Sequence, residues 1–249
     1  MKKFLKNKIK KFFSFFGLNL TKDNPANNPN KQIFKVLNLL NINKVLDIGA
    51  NEGQFAINVR ISGYKGEIIS FEPLTSARKK LLQSSKNDNK WKIFNQCVVG
   101  DANGFIDFNI SGNSVSSSAL SILKSHTNAS PESEYVGSER VPIIKLDTIL
   151  KDIVSDNTNL FMKIDTQGYE KKVLDGAERM LEKVSGVLCE LSFIPLYENQ
   201  SLWIEIIEYL NNKGFILWAI QKGFTDPTTG QSLQMDGIFL RKEKLKINN

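Results

Sequence analysis

Two groups of residues able to do chemistry stand at the ends of apolar runs. The first is Val45-Leu46-Asp47-Ile48-Gly49-Ala50-Asn51-Glu52-Gly53. An apolar run that ends in an acid and two glycines, followed by a helix-like stretch from Gln54 to Ile61, is the frame of a nucleotide pocket. A dinucleotide turn has the spacing G-x-G-x-x-G, because the backbone must approach a pyrophosphate. Here only Gly49 and Gly53 are glycines, and carboxylates at Asp47 and Glu52 repel a pyrophosphate. Asp47 instead suits a ligand carrying an ammonium and a sulfonium, a description that S-adenosylmethionine (SAM) meets. The next apolar run ends at Phe71-Glu72-Pro73, where an acid can accept both hydroxyls of a ribose. A third ends near Gln96-Cys97, where Gln96 or the adjacent backbone can meet a base ring.

The second group is suited to a proton. Phe161-Met162-Lys163-Ile164-Asp165 delivers Lys163 and Asp165 to the same crevice, and Val187-Leu188-Cys189-Glu190 brings Glu190 beside them. A buried charge needs a partner, a proton or a metal. Asp165 and Glu190 are therefore expected to act as a base or to share a divalent ion, and Asp236 is a weaker third acid. His126 is the sole histidine. Histidine is the commonest proton acceptor near neutral pH, although in a polar loop a lone one is more often a surface residue.

These residues need a frame. Candidate strands at 44–48, 66–71, 91–99, 160–164, 185–191, 214–220 and 236–241 alternate with helical stretches near 54–62, 75–84, 169–182 and 200–212. That rhythm predicts a doubly wound, mostly parallel, seven-stranded α/β sheet, its last two strands forming an antiparallel edge hairpin. Extra strands are expected at 104–110 and 141–146. Between them Ser111 to Ser138 reads as a serine-rich loop, hence a lid or a disordered segment. Three segments follow: a basic amphipathic helix over 1–20, a linker and covering helix over 21–43, and the main domain over 44–249.

The net charge of +7 is local. Residues 1–20 hold six lysines and no acid, leaving 27 basic and 26 acidic residues elsewhere. A nearly neutral body argues against a nucleic-acid partner. Leu5, Ile9, Phe12, Phe13 and Phe16 recur at helical spacing, so the N-terminal helix either lies on an anionic membrane surface or packs on the domain by its phenylalanines. Lysines continuing to Lys11, with no A-x-A-like site after them, argue against a secretion signal. Cys97 and Cys189 sit in apolar runs and match no zinc spacing, the pattern of buried thiols in a reducing compartment. A cytoplasmic protein, peripheral on the inner face of the membrane, is the corresponding expectation.

The motifs together resemble the FkbM family of SAM-dependent methyltransferases. The carrying residues are VLDIGANEGQFA (45–56), ISFEPL (69–74), NSVSSSAL (113–120), VPIIKLDTIL (141–150), KIDTQGYEKKVLDGAE (163–178) and QMDGIFLR (234–241). The resemblance covers roughly residues 44 to 241. It implies a class I, Rossmann-like methyltransferase fold and O-methylation of a sugar, glycan chain or polyketide-like acceptor. It also implies that Asp47, Gly49, Ala50, Asn51 and Gly53 hold the methionine part of SAM and Glu72 the ribose. Many members carry an acid where this chain has Gln167. Methylation of a nitrogen and a non-catalytic SAM-binding protein are the other readings. The acidic-or-Asn, Pro-Pro, aromatic signature of DNA amino-methyltransferases is absent from the sequence.

Overall fold

The computed structural model describes residues 2–18 and 20–245. The outer limits of the expected segments, residues 1 and 249, lie outside them. Ten strands form two sheets: β1 (Lys44–Ile48), β2 (Glu67–Phe71), β3 (Trp91–Ile93), β4 (Val98–Val99), β5 (Gly104–Ser111), β6 (Tyr135–Ile144), β7 (Leu160–Ile164), β8 (Val184–Ser192), β9 (Phe215–Lys222) and β10 (Gln234–Arg241). The main sheet has seven strands in the order β3-β2-β1-β7-β8-β10-β9. All of its pairings are parallel except the two made by β10. The expected doubly wound sheet with an antiparallel edge hairpin is therefore present. Strand order reverses between β1 and β7, which opens a crevice beyond their carboxyl ends.

β1 and β7 are buried on both faces, as near-continuous apolar sequence requires of central parallel strands. Leu46 and Ile48 join Met162 and Ile164 in a core covered by the helices Glu170–Asp175 and Trp203–Asn212. Val45 and Phe161 face the other way, under the helices Pro29–Leu39 and Gln54–Ile61.

Three expectations about elements change. The single strand expected over 91–99 is two short ones, because β4 leaves the main sheet to pair with β6. The two extra strands are longer than expected and build a separate three-stranded sheet, β4-β6-β5. The serine-rich segment between β5 and β6 is neither open nor unstructured. Ser116, Ser117, Ser118 and His126 are buried, and short helical turns at Ser114–Ser116, Lys124–Thr127 and Pro131–Ser133 fold it into a fixed flap.

The N-terminal helix forms, at Lys2–Phe15. It does not pack on the domain by its phenylalanines: Phe12 is 61% exposed and Phe15 86%.

Candidate active site

A cavity of about 710 Å³ opens beyond the carboxyl ends of β1, β2, β7 and β8. Its floor is the turn after β1. Gly49 (φ 73°), Asn51 (φ 47°) and Gly53 (φ 96°) all adopt left-handed backbone, which folds the chain tightly into the helix Gln54–Ile61. A side chain at position 49 would bring its Cβ to 1.8 Å from the Asp165 carbonyl oxygen, so only glycine lets β1 and β7 close at this point. A Cβ at 53 would meet the Trp91 ring at 2.7 Å.

Sheet register explains what Asp47 does. It stands level with Ser70 on β2 and with Lys163 on β7. Its Oδ2 accepts from Ser70 Oγ at 3.0 Å, and Ser70 Oγ in turn accepts from Trp91 Nε1 at 2.9 Å. Its Oδ1 lies 3.3 Å from Lys163 Nζ. Asp47 is wholly buried beneath the turn and does not line the cavity, so the direct ligand contact expected of it is absent from this geometry. Gly49, Ala50 and Asn51 do line it.

Lys163 Nζ donates to the Gly49 carbonyl at 2.7 Å and lies 3.5 Å from Asp165 Oδ2. Burial opposes its charge, but Asp165 and Asp47 outweigh burial and push its pKa above the ordinary lysine value. A lysine so held stays protonated. It braces the turn against β7 and, as a cation, is not a base.

Glu72 closes the cavity wall from β2. Oε2 accepts from Asn51 N at 2.7 Å and Oε1 from Leu74 N at 2.8 Å, leaving lone pairs on both oxygens. Burial pushes its pKa up to about 7, against these two hydrogen bonds. Gln96 does not reach the cavity: Nε2 donates to the Pro73 carbonyl at 2.6 Å and to Thr75 Oγ1 at 2.8 Å. Phe71, Cys97, Val98 and Val99 supply the apolar wall in its place.

The acids of the second group converge. Gln167, held at φ 54°, donates from Nε2 to Asp165 Oδ1 and to Glu190 Oε2, both at 3.0 Å. Gln234 Nε2 donates to the same Glu190 oxygen at 2.7 Å, and Tyr197 Oη donates to Gln167 Oε1 at 2.9 Å. The amide nitrogen thus occupies the position between Asp165 and Glu190 that a shared divalent ion would need. Among the described residues no group of three His, Cys, Asp or Glu side chains is arranged to hold a metal, so the donor set does not fit the expected ion. Burial, then the charge of Asp165, push Glu190 well above the usual carboxyl range, which favours its protonated form.

Asp236 faces Glu190 directly across the β8–β10 ladder and lines the cavity. Burial, then Asp165, push it up to about 7. His126 is 3% exposed, packed edge-on to Tyr197 with ring centroids 5.3 Å apart. Its Nε2 lies 3.4 Å from Ser116 Oγ, and burial pushes it down to about 4. It is therefore a neutral wall residue of the flap rather than a surface histidine. Tyr197 and Gln234 were not among the expected site residues, and Gln167 stood out only against the acid that many family members carry there; the aim of all three at Glu190 and Asp165 comes from the fold.

Five acidic side chains line the cavity (Glu72, Glu132, Asp165, Glu190 and Asp236), against one ammonium, Lys163, which is already paired. Such a lining favours a cationic ligand and rejects a pyrophosphate.

No curated protein sequence matches the chain. Solved structures of similar shape include a methyltransferase FkbM from Methylobacillus flagellatus KT, at 15% identity, TM-score 0.48, covering 79% of this chain and 43% of that one. This chain thus spans less than half of that protein's length. Precorrin-6y C5,15-methyltransferase from Geobacter metallireducens GS-15 is 10% identical over 88% of its own chain and 85% of this one, TM-score 0.43. Aeropyrum pernix fibrillarin, solved with natively bound S-adenosyl-L-methionine, is 10% identical over 80% of this chain and 66% of that one, TM-score 0.43. The methyltransferase FkbM domain family matches residues 47–217, from the acid of β1 into β9 and across the serine-rich flap. That is well over half of the molecule, and the chain belongs to the FkbM methyltransferase family.

Proposed function

We propose that this chain transfers a methyl group from SAM to a hydroxyl of a sugar or glycan. The observation that carries the reading is the acid-rich cavity built on a glycine turn at the sheet's switch point. When bound, SAM supplies an electrophilic methyl carbon on a sulfonium, which an oxygen must approach in line. The residues present fit it by their donor chemistry. Glu72 keeps free lone pairs for ribose hydroxyls, Phe71 and Val98 offer a flat apolar wall for a base, and Gly49 to Asn51 line the floor where the amino-acid part would lie, their amides held by the Phe71 carbonyl and by Glu72. Asp47 acts from beneath, through Lys163 and the turn.

Gln167 and Gln234 line the cavity beside the acids, Ser116 lines it from the flap, and Ser114 lines it next to Asn51. These are hydrogen-bonding partners for a neutral polyol, and the carboxylates disfavour a phosphorylated or carboxylated acceptor. Positioning the hydroxyl against the methyl carbon supplies much of the rate. With SAM bound, the new O–C bond would form as the S–C bond breaks and the neutral thioether leaves, and the acceptor's proton would pass to a carboxylate on the wall. Asp236 suits this role best, since a base with a pKa near the working pH is the most effective. Glu190, whose pKa burial also raises, serves with Gln167 and Gln234 to orient the acceptor.

Calorimetry of the purified chain should show heat with SAM and with its demethylated product, and none with a nicotinamide dinucleotide. Mass spectrometry of the same preparation should find either nucleoside co-purified. Labelled SAM offered with neutral glycosides should give methyl ethers, while sugar phosphates should not compete. Binding of the dinucleotide alone would overturn the reading. Binding of SAM without product from any hydroxyl acceptor would leave only a non-catalytic binder.

A further inference from the structure

The N-terminal helix has no part in the cavity and no cover from the domain. Every side chain described between Phe4 and Leu18 is exposed except the half-buried Phe13. Leu5, Ile9, Phe12 and Phe16 repeat at spacings of four, three and four, which lines them up as one stripe on the helix. Phe4 and Phe15 widen it, at 67% and 86% exposure. At 3.6 residues per turn, Lys8 falls at the edge of the stripe, and Lys10 and Lys11 fall on the helix face away from it.

We propose that this helix lies on an anionic phospholipid surface, phenylalanine stripe inward, and so holds the cavity near the membrane. Three observations choose this occupant. Six lysines without an acid on one short helix would repel the same helix of a second copy, yet complement anionic headgroups. A nucleic acid would leave the apolar stripe bare, and the body of the chain is nearly neutral. Finally, the connection is short. The segment 16–28 is thirteen residues, a reach of at most about 45 Å. It ends at Asn28, which caps the helix Pro29–Leu39, and Pro29, Asn30 and Ile33 of that helix line the cavity. The cavity therefore stays within that tether of the lipid surface. Resting on the reading above, this points to an acceptor glycan carried on the membrane.

Flotation of the full-length chain tests the membrane contact without any turnover. The chain should float with vesicles of equal parts phosphatidylglycerol and phosphatidylcholine, stay below with phosphatidylcholine alone, and be released by added salt. The double substitution Phe12→Asp with Phe16→Asp should cut the vesicle-bound fraction by at least about tenfold. Lys10→Glu should cut it by about fivefold or more. Thermal unfolding should be unchanged in each variant, because the helix is not part of the core. Equal recovery with charged and neutral vesicles, or wild-type flotation of the double variant, would overturn the proposal. So would a double variant that only converts an oligomer to a monomer in light scattering, which would assign the stripe to a second copy. Failure here leaves the methyl-transfer reading intact, since flotation reads no product.

Discussion

Asp236 and Glu190 sit level on adjacent antiparallel strands, yet their settings separate their roles. Two amides donate to Glu190, and burial with three nearby acids raises its pKa against the Gln167 hydrogen bond. Asp236, pushed up to about 7, exchanges its proton near the working pH. Asp236→Asn is expected to lower kcat by about 10²- to 10⁴-fold while leaving the nucleoside dissociation constant nearly unchanged. In the wild type, the carboxylate form exists above about 7, so kcat should fall as pH drops through that value. The residual rate of the variant should lose this inflection. A variant whose profile keeps it would move the base elsewhere, with Asp165 next in line. Of these residues, Asp165 and Glu190 were readable because an acid ending an apolar run is conspicuous. Gln167 stood out only against the acid that many family members carry there; its place between two carboxylates was not readable.

The turn after β1 is the element on which the site rests. Its backbone closes against β7 at Gly49, receives Lys163 on the Gly49 carbonyl, and offers Asn51 N to Glu72. Gly49→Ala meets two costs together, a left-handed φ and a Cβ inside van der Waals reach of a carbonyl. The loss is expected to be at least about 3 kcal/mol, or roughly 6–12 °C in a chain of this size. Differential scanning calorimetry measures it directly, and a midpoint within a degree of wild type would mean that the β1–β7 approach is not tight. The serine-rich flap shows the opposite case for legibility. Its polar composition suggests a loose loop, but its hydroxyls are satisfied internally. Ser118 Oγ donates to the Gln167 carbonyl at 2.6 Å, and Ser111 Oγ to the Ser133 carbonyl at 2.9 Å.

For the molecule as a whole, gathering acids at one end of the sheet has a cost in stability. Glu72 and Glu170 rise from the ordinary 4.5, and Asp236 from 3.8, each to about 7, mainly through burial. Each binds its proton more tightly folded than unfolded. Their stabilising contribution is therefore complete below the unfolded values and is lost as pH rises through about 7. The ligand-free chain should show a thermal midpoint that falls between about pH 4.5 and 7 and levels off above. A midpoint rising throughout that interval would show that His126, which burial pushes down to about 4 and so favours neutral, dominates instead. The N-terminal helix stands outside this balance, and among the described residues no helix is long and apolar enough to cross a membrane.

Read alone, the order of residues determined the alternation of strands and helices, the place of the glycine turn and the acids at the strand ends. Those features depend on local periodicity and on which residue types a tight turn accepts, and both are written along the chain. Tertiary structure decided how the polar groups pair. Asp47 faces Lys163 and Ser70 because β1, β2 and β7 share a register. Gln96 turns from the cavity to the Pro73 carbonyl, and His126 is buried because the flap folds over Tyr197. A polar side chain's partner, charge and exposure are set by neighbours distant in sequence, so they follow only from packing.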